Sequence, residues 1–189
     1  MTKILAFSGS SRKGSLNQQM VSIAARGAQA KGADVTVINL ADFDMPIFCQ
    51  DFELEYGMPE KAQDFKELLL NHNGMLIASP EYNGSYSALL KNALDWASRA
   101  NSADEVPLSA FKGKFAMIMS TTPNPLGGIQ GLANLRILLT HLGVTVCPDQ
   151  VAIGQEYSAF VQGKLVDEFK HKQVLALGES LHQLLTKLV

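Results

Sequence analysis

Two kinds of segment alternate along this chain: short runs that are apolar at nearly every position, and longer stretches with apolar residues every three or four positions. Residues 3–7 (KILAF) form the first short run. An unbroken run of that length predicts a strand buried on both faces. From Ser15 the period changes. Leu16, Met20, Ile23, Ala24 and Gly27 mark one face of a helix, which Gly32 is placed to end. Further strands are predicted over 35–40 (VTVINL), 75–78 (MLIA), 115–119 (FAMIM) and 144–147, the last with 151–153 as a possible continuation. Between and after them, helical stripes run through Ala62, Phe65, Leu68 and Leu69, then through Leu89, Leu90, Ala93, Leu94 and Ala97. Two more run through Leu132, Leu135, Leu139 and Leu142, and through Leu177, Leu181, Leu184, Leu185 and Leu188.

Strands that alternate with helices in this way call for a parallel sheet, because right-handed crossovers place the helices on both faces. The expected fold is therefore an α/β three-layer sandwich formed as one domain over residues 1–189. No repeat, low-complexity tract or linker divides it. Residues 41–59 form the longest stretch without a clear period, which points to a binding loop. Ligands of open parallel sheets sit beyond the carboxyl ends of the strands, so the loops after the first, third and fourth strands are where chemistry is expected.

Composition narrows the classes. The 189 residues are 47% hydrophobic and 18% charged, ordinary for a globular protein and too apolar for a disordered one. A net charge of −2 gives no basic field for nucleic acid. No apolar run approaches the roughly 20 residues of a spanning helix, and no signal-peptide pattern opens the chain. With only Cys49 and Cys147 present, a reducing cytoplasm is the expected location.

The loop after the first strand reads Gly9-Ser10-Ser11-Arg12-Lys13-Gly14-Ser15-Leu16-Asn17. Backbone N–H groups, hydroxyls and a guanidinium just before a helix suit a phosphate; the plainer expectation is a serine-rich turn with Ser15 as helix cap. It is neither a G-x-G-x-x-G dinucleotide loop nor a nucleoside-triphosphate loop, since Ser15 and Leu16 stand where Lys and Ser or Thr are needed. After the third strand, Pro80-Glu81-Tyr82-Asn83-Gly84 forms a rigid turn with one ring to offer a planar ligand, and Ser85 or Ser87 is placed to cap the next helix. Trp96 reads as a packing or subunit-interface residue. After the fourth strand, Ser120-Thr121-Thr122-Pro123 leads to Gly127-Gly128, a pair that permits close backbone approach.

Together these loops resemble the NADPH-dependent FMN reductase family, with its quinone, azo-dye and chromate reductase members, over essentially the whole chain. Gly9, Ser10, Arg12, Ser15 and Asn17 match its first pattern, G-S-x-R-x-x-S-x-N. Pro80, Glu81, Tyr82, Asn83 and Ser85 match P-E-Y-N-x-S, and Leu90, Lys91, Asn92, Ala93, Asp95 and Trp96 match L-K-N-A-x-D-W. The Gly127-Gly128 pair and residues 44–48 (DMPIF) match two further segments. Departures at Tyr86-Ser87 and over residues 122–125 bear on acceptor preference.

The resemblance implies a flavodoxin-like sandwich with a five-stranded parallel sheet of order 2-1-3-4-5. It places the FMN phosphate on Ser10, Arg12, Ser15, Leu16 and Asn17. It places the flavin ring against Pro80, Glu81, Tyr82, Asn83, Gly84, Ser120, Thr121, Gly127 and Gly128. It further implies hydride transfer from NADPH (or NADH) through FMN to a small-molecule acceptor such as a quinone, free flavin, azo dye or metal oxyanion. A homodimer or homotetramer is expected, with neither nucleic acid nor membrane as partner.

No catalytic side chain and no metal ligand is named, because the cofactor carries the hard step. Glu81 is open to two roles, proton donor or turn stabiliser. The four histidines, His72, His141, His171 and His182, lack metal spacing and are expected to be solvated or capping. Hydrolysis lacks its G-x-S-x-G elbow. The competing readings are a non-catalytic FMN electron carrier and a flavin-binding regulatory module.

Overall fold

The computed structural model describes residues 1–162 and 164–188. Strands β1 (Lys3–Ser8), β2 (Asp34–Val37), β3 (Gly74–Ala78), β4 (Phe115–Thr121) and β5 (Thr145–Ile153) form one sheet. Its order is β2-β1-β3-β4-β5 and every pair is parallel. Helix α1 (Leu16–Ala30) and helix α7 (Glu168–Leu188) cover one face. Helices α3 (Glu60–Leu70), α4 (Ala88–Ala97) and α5 (Ile129–His141) cover the other. The expected flavodoxin-like three-layer arrangement is the one observed.

The two faces follow from the two-residue period of a strand. Ile4, Ala6, Leu76, Ala78, Met117 and Met119 pack into one core with Ala24, Val174 and Leu181. Leu5, Phe7, Met75, Ile77, Ala116 and Ile118 pack into the other with Phe65, Leu94 and Leu135. Each inner strand is therefore apolar at successive positions, and a one-residue slip would exchange the cores.

The structure departs from the sequence reading at several places. The second strand ends at Val37, not at residue 40; Asn39 caps a single 3-10 turn (Leu40–Asp42) that drops Leu40 into the core. The stretch 41–59 contains helix α2 (Gln50–Tyr56), so the longest irregular segment is 98–114 instead. Helix α2 buries no residue, which is why it shows no apolar stripe. The fifth strand is continuous through 145–153 but bulged: Ala116 faces Val146 and Ile118 faces Gln150. A short helix α6 (Glu156–Ala159) and the strand pair β6 (Phe160–Val161) and β7 (Lys164–Leu165) intervene before α7. Of the two roles open to His72 it takes the capping one, its buried ring paired with Leu68 O in the last turn of α3 (2.6 Å) and with Thr36 Oγ1 (2.9 Å).

Candidate active site

The first loop is folded on itself by its own serines. Ser8 Oγ accepts from Ser10 N (3.2 Å) and Ser10 Oγ from Arg12 N (3.4 Å). Ser15 N donates to Arg12 O (3.1 Å), and Ser15 Oγ caps α1 by accepting from Gln18 N (3.3 Å). The N–H groups of Leu16 and Asn17 remain at the helix start as donors the helix itself cannot satisfy. The Asn17 side chain is buried: Nδ2 donates to Thr121 O (2.9 Å) and Oδ1 accepts from Thr121 N (3.0 Å).

The turn after β3 is a miniature hairpin. Tyr82 N donates to Ser85 O (2.8 Å) and Ser85 N to Tyr82 O (3.1 Å). Asn83 and Gly84 both take positive φ, the mirror-image turn that an Asn-Gly pair favours. Of the two expected caps for α4 it is Ser87 that serves, accepting from Leu90 N (3.2 Å); its hydroxyl also donates to Gly9 O and so couples the two loops. Glu81 Oε2 accepts from Gly131 N (2.8 Å) in the first turn of α5. The α5 cap position is Gly128, which has no side chain to cap with, so the carboxylate supplies that bond and opposes the helix dipole. Of its two open roles, Glu81 is seen in the stabilising one.

The end of β4 is fixed by Thr121 Oγ1 donating to Ile153 O (3.0 Å) and Thr122 N donating to the same oxygen (3.2 Å). Gly128 (φ 87°) presses on Ser120: a Cβ there would lie 2.2 Å from Ser120 Oγ. That hydroxyl is buried and has no hydrogen-bond partner among the described residues.

The three loops enclose a cleft of about 230 Å³ at the carboxyl ends of β1, β3 and β4. Seven of the expected site residues line it: Ser10, Arg12, Asn17, Pro80, Glu81, Tyr82 and Thr121. Ser15 faces a neighbouring cavity, and Leu16 packs on the first core. Asn83 and Gly84 form the hairpin turn, while Ser120, Gly127 and Gly128 are buried behind the wall. Tyr157 of α6 also lines the cleft and was missed by sequence reasoning; a lone tyrosine after Gly154 offers no periodic signal. Arg12, Tyr82 and Tyr157 are all exposed, so the mouth pairs a cation with two aromatic rings.

The L-K-N-A-x-D-W pattern acts at one remove. Asn92 Oδ1 accepts from Phe48 N (2.8 Å), and its Nδ2 donates to Pro46 O (3.0 Å). Trp96 Nε1 donates to Pro46 O as well (2.7 Å), with Phe48 edge-on to its ring at 5.0 Å. Both residues clamp the segment 45–48 onto α4, the packing role expected of Trp96. Cys49, next in the chain, is exposed, whereas Cys147 is buried and its thiol is pushed up by burial, with Asp149 adding to the effect. The described residues contain no group of three or more His, Cys, Asp or Glu side chains placed to hold a metal ion.

Known proteins share this architecture and these loops. Residues 2–158 match the NADPH-dependent FMN reductase family. An NAD(P)H-dependent FMN reductase of Pseudomonas aeruginosa is 33% identical over 172 residues, 88% of this chain and 85% of that one. A 2-hydroxy-1,4-benzoquinone reductase of a Burkholderia species is 30% identical, covering 90% and 88% of the two chains. Among solved structures, the flavoenzyme NAD(P)H:(acceptor) oxidoreductase FerB of Paracoccus denitrificans superposes with a TM-score of 0.79. It is 26% identical, with 99% and 98% of the chains covered. The match spans the three loops of the cleft and the sheet that positions them, and the chain belongs to the NADPH-dependent FMN reductase family.

Proposed function

We propose that the cleft holds FMN and that the chain passes reducing equivalents from NADPH or NADH to a quinone or a free flavin. One observation carries this reading: a helix start with spare N–H donors, Ser10 and Arg12 close one end of the cleft, and the Tyr82 hairpin closes the other. The first set suits a phosphate dianion and the second a flat ring with polar edges. The donor chemistry of the residues present therefore fits the cofactor. Ser10, Arg12, Ser15 and the N–H groups of Leu16 and Asn17 are assigned to the phosphate. Pro80, Glu81, Tyr82, Asn83 and Gly84 are assigned to one edge of the ring and Thr121 to the other, with Ser120, Gly127 and Gly128 shaping the wall behind it. When bound, FMN supplies the two-electron relay between nicotinamide and acceptor.

The chain's own contribution is placement. Asn17 and Ser87 tie the three loops together, which holds the groups of the cleft at set separations before a ligand enters. The open mouth with Tyr82 and Tyr157 suits flat aromatic acceptors, and quinone reductases of Escherichia coli and the Burkholderia enzyme support that class. Azo dyes and metal oxyanions have weaker support. A homodimer or homotetramer is part of the proposal. Tyr86, Ile137 and Leu138 line a depression of about 510 Å³ on α5 beside the hairpin, a face suited to a second copy. No helix among the described residues is long and apolar enough to cross a membrane. A cytoplasmic location is proposed from the two unpaired cysteines.

The test is to load the purified protein with FMN, add NADPH without oxygen and follow the visible flavin band. Bleaching, then recolouring when benzoquinone is added, is the expected result. A bound flavin that stays yellow with both NADPH and NADH would instead make the chain a carrier or a binding module.

A further inference from the structure

The first loop has two sides; the flavin cleft lies on one, and of the residues the flavin reading uses, Ser10, Arg12 and Ser15 also line the other. On the other, between α1 and the turn after β2, lies a second cavity of about 500 Å³, within the range of small-molecule sites. Ser15, Gln18, Gln19, Ser22 and Arg26 follow one another at helical spacing and present a polar face of α1 to it. Lys13 joins them from the loop, and Asp42 stands on the opposite wall.

The hydrogen bonding of this face is incomplete. Gln18 Nε2 donates to Ile38 O (3.0 Å), which fixes the amide so that Oε1 is the acceptor. That oxygen is buried with no partner among the described residues, and the same holds for Gln19 Oε1. Buried acceptors are seldom left unmade, and a ligand with hydroxyl or amino donors would satisfy this pair as the side chains turn toward the cavity. Lys13 and Arg26 form no ion pair with any described residue and call for an anion. Asp42 discriminates against a bare anion and favours one attached to donor groups. A nucleoside phosphate meets all three demands.

We infer that this cavity binds the adenosine end of NADPH, with Lys13 and Arg26 on the 2′-phosphate and the Gln18 and Gln19 carbonyls on sugar or base donors. The inference rests on the reductase reading, in which a reduced nicotinamide visits the cleft. Ser10 and Arg12 line both the cleft and the cavity, so the two adjoin at the loop. A dinucleotide held here keeps its other end at the cleft, and the phosphate that distinguishes NADPH from NADH meets two exposed cations.

The experiment titrates adenosine 2′,5′-bisphosphate, adenosine 5′-monophosphate and inorganic phosphate into the FMN-loaded protein by calorimetry. The bisphosphate is expected to bind at least ten-fold more tightly than either of the others. In the Lys13→Gln/Arg26→Gln variant that advantage disappears while the bound-flavin spectrum is retained, and the NADPH-to-NADH ratio of kcat/KM falls about ten-fold. Equal affinities for the bisphosphate and monophosphate overturn the proposal, as does an advantage that survives in the variant. Displacement of FMN by the bisphosphate also overturns it, because the ligand then occupies the flavin phosphate site. The two readings fail separately: selective bisphosphate binding without flavin reduction removes the reductase and leaves the cavity. Flavin reduction without selective binding does the reverse.

Discussion

The side-chain amide of Asn17 pairs with both backbone polar groups of Thr121, at 2.9 and 3.0 Å, and joins the first turn of α1 to the end of β4. No backbone partner takes its place, because the two segments belong to different elements. Asn17→Ala leaves a buried N–H and a buried C=O without partners, at a cost of about 2–4 kcal/mol. A urea midpoint lowered accordingly is the expected result, with FMN affinity weakened by at least ten-fold in fluorescence titration. An unchanged midpoint would show that the loops are held apart from this bridge.

Gly128 and Ser120 define a second fixed contact. In Gly128→Ala the new methyl meets Ser120 Oγ, and a left-handed backbone adds about 1 kcal/mol of strain. Ser120→Gly in the same chain removes the clash with the hydroxyl and leaves the backbone term and a tight contact with Thr122 Cγ2 at 3.1 Å. The double variant is therefore expected to be more stable than Gly128→Ala alone, a non-additivity that a double-mutant cycle in denaturant measures directly.

Glu81 separates the stabilising role from the catalytic one. Glu81→Gln keeps an acceptor for Gly131 N and loses only the charge at the start of α5, about 0.3–1 kcal/mol. Steady-state turnover is expected to stay within two-fold of the parent across pH. Were this carboxyl a proton donor, turnover would instead drop by roughly a hundred-fold or more, the least that general acid catalysis contributes.

Acid stability depends on a part-buried ion pair away from the cleft. Burial pushes the Glu105 carboxyl up, but hydrogen bonds from Lys66, Ser109 and Asn101 N–H outweigh it and hold the group at about 2. Lys66, itself buried, also donates to Arg99 O, so the pair anchors the irregular segment 98–114. The folded value lies below the ordinary 4.5, so the contribution is complete above that pH and is lost as pH falls toward about 2. The shift corresponds to roughly 3 kcal/mol. Glu105→Gln is expected to flatten the stability curve between these pH values, as read from urea midpoints at a series of pH values.

Much of this was legible because it is written in period and in turn chemistry. The unbroken runs at 3–7 and 75–78 announce strands buried on both sides, and Asn83-Gly84 announces its hairpin. Serine caps were readable at Ser15, and at position 87 as one of two choices. What escaped lacks such marks. Helix α2 turns its whole circumference to partial exposure, so no stripe forms. Tyr157 reaches the cleft from a single turn, and the second partner of the His72 ring, Thr36, comes from β2, a contact that no local spacing encodes. The partnership of Asn17 with Thr121 spans the same kind of distance, whereas the resemblance in the first loop marks Asn17 only as a ligand.

The bulge in β5 bears on how copies of this chain can meet. Strand β5 is one edge of the sheet, and an open edge invites another strand. Here Arg136 donates to the carbonyls of Val146 and Cys147 at 3.0 and 2.8 Å and to Gln150 Oε1 at 2.9 Å, while Pro148 has no N–H to offer. An incoming strand would find this border already occupied and out of step. Growth of the sheet from one molecule into the next is blocked along this edge, which keeps crowded copies from fusing into fibres there.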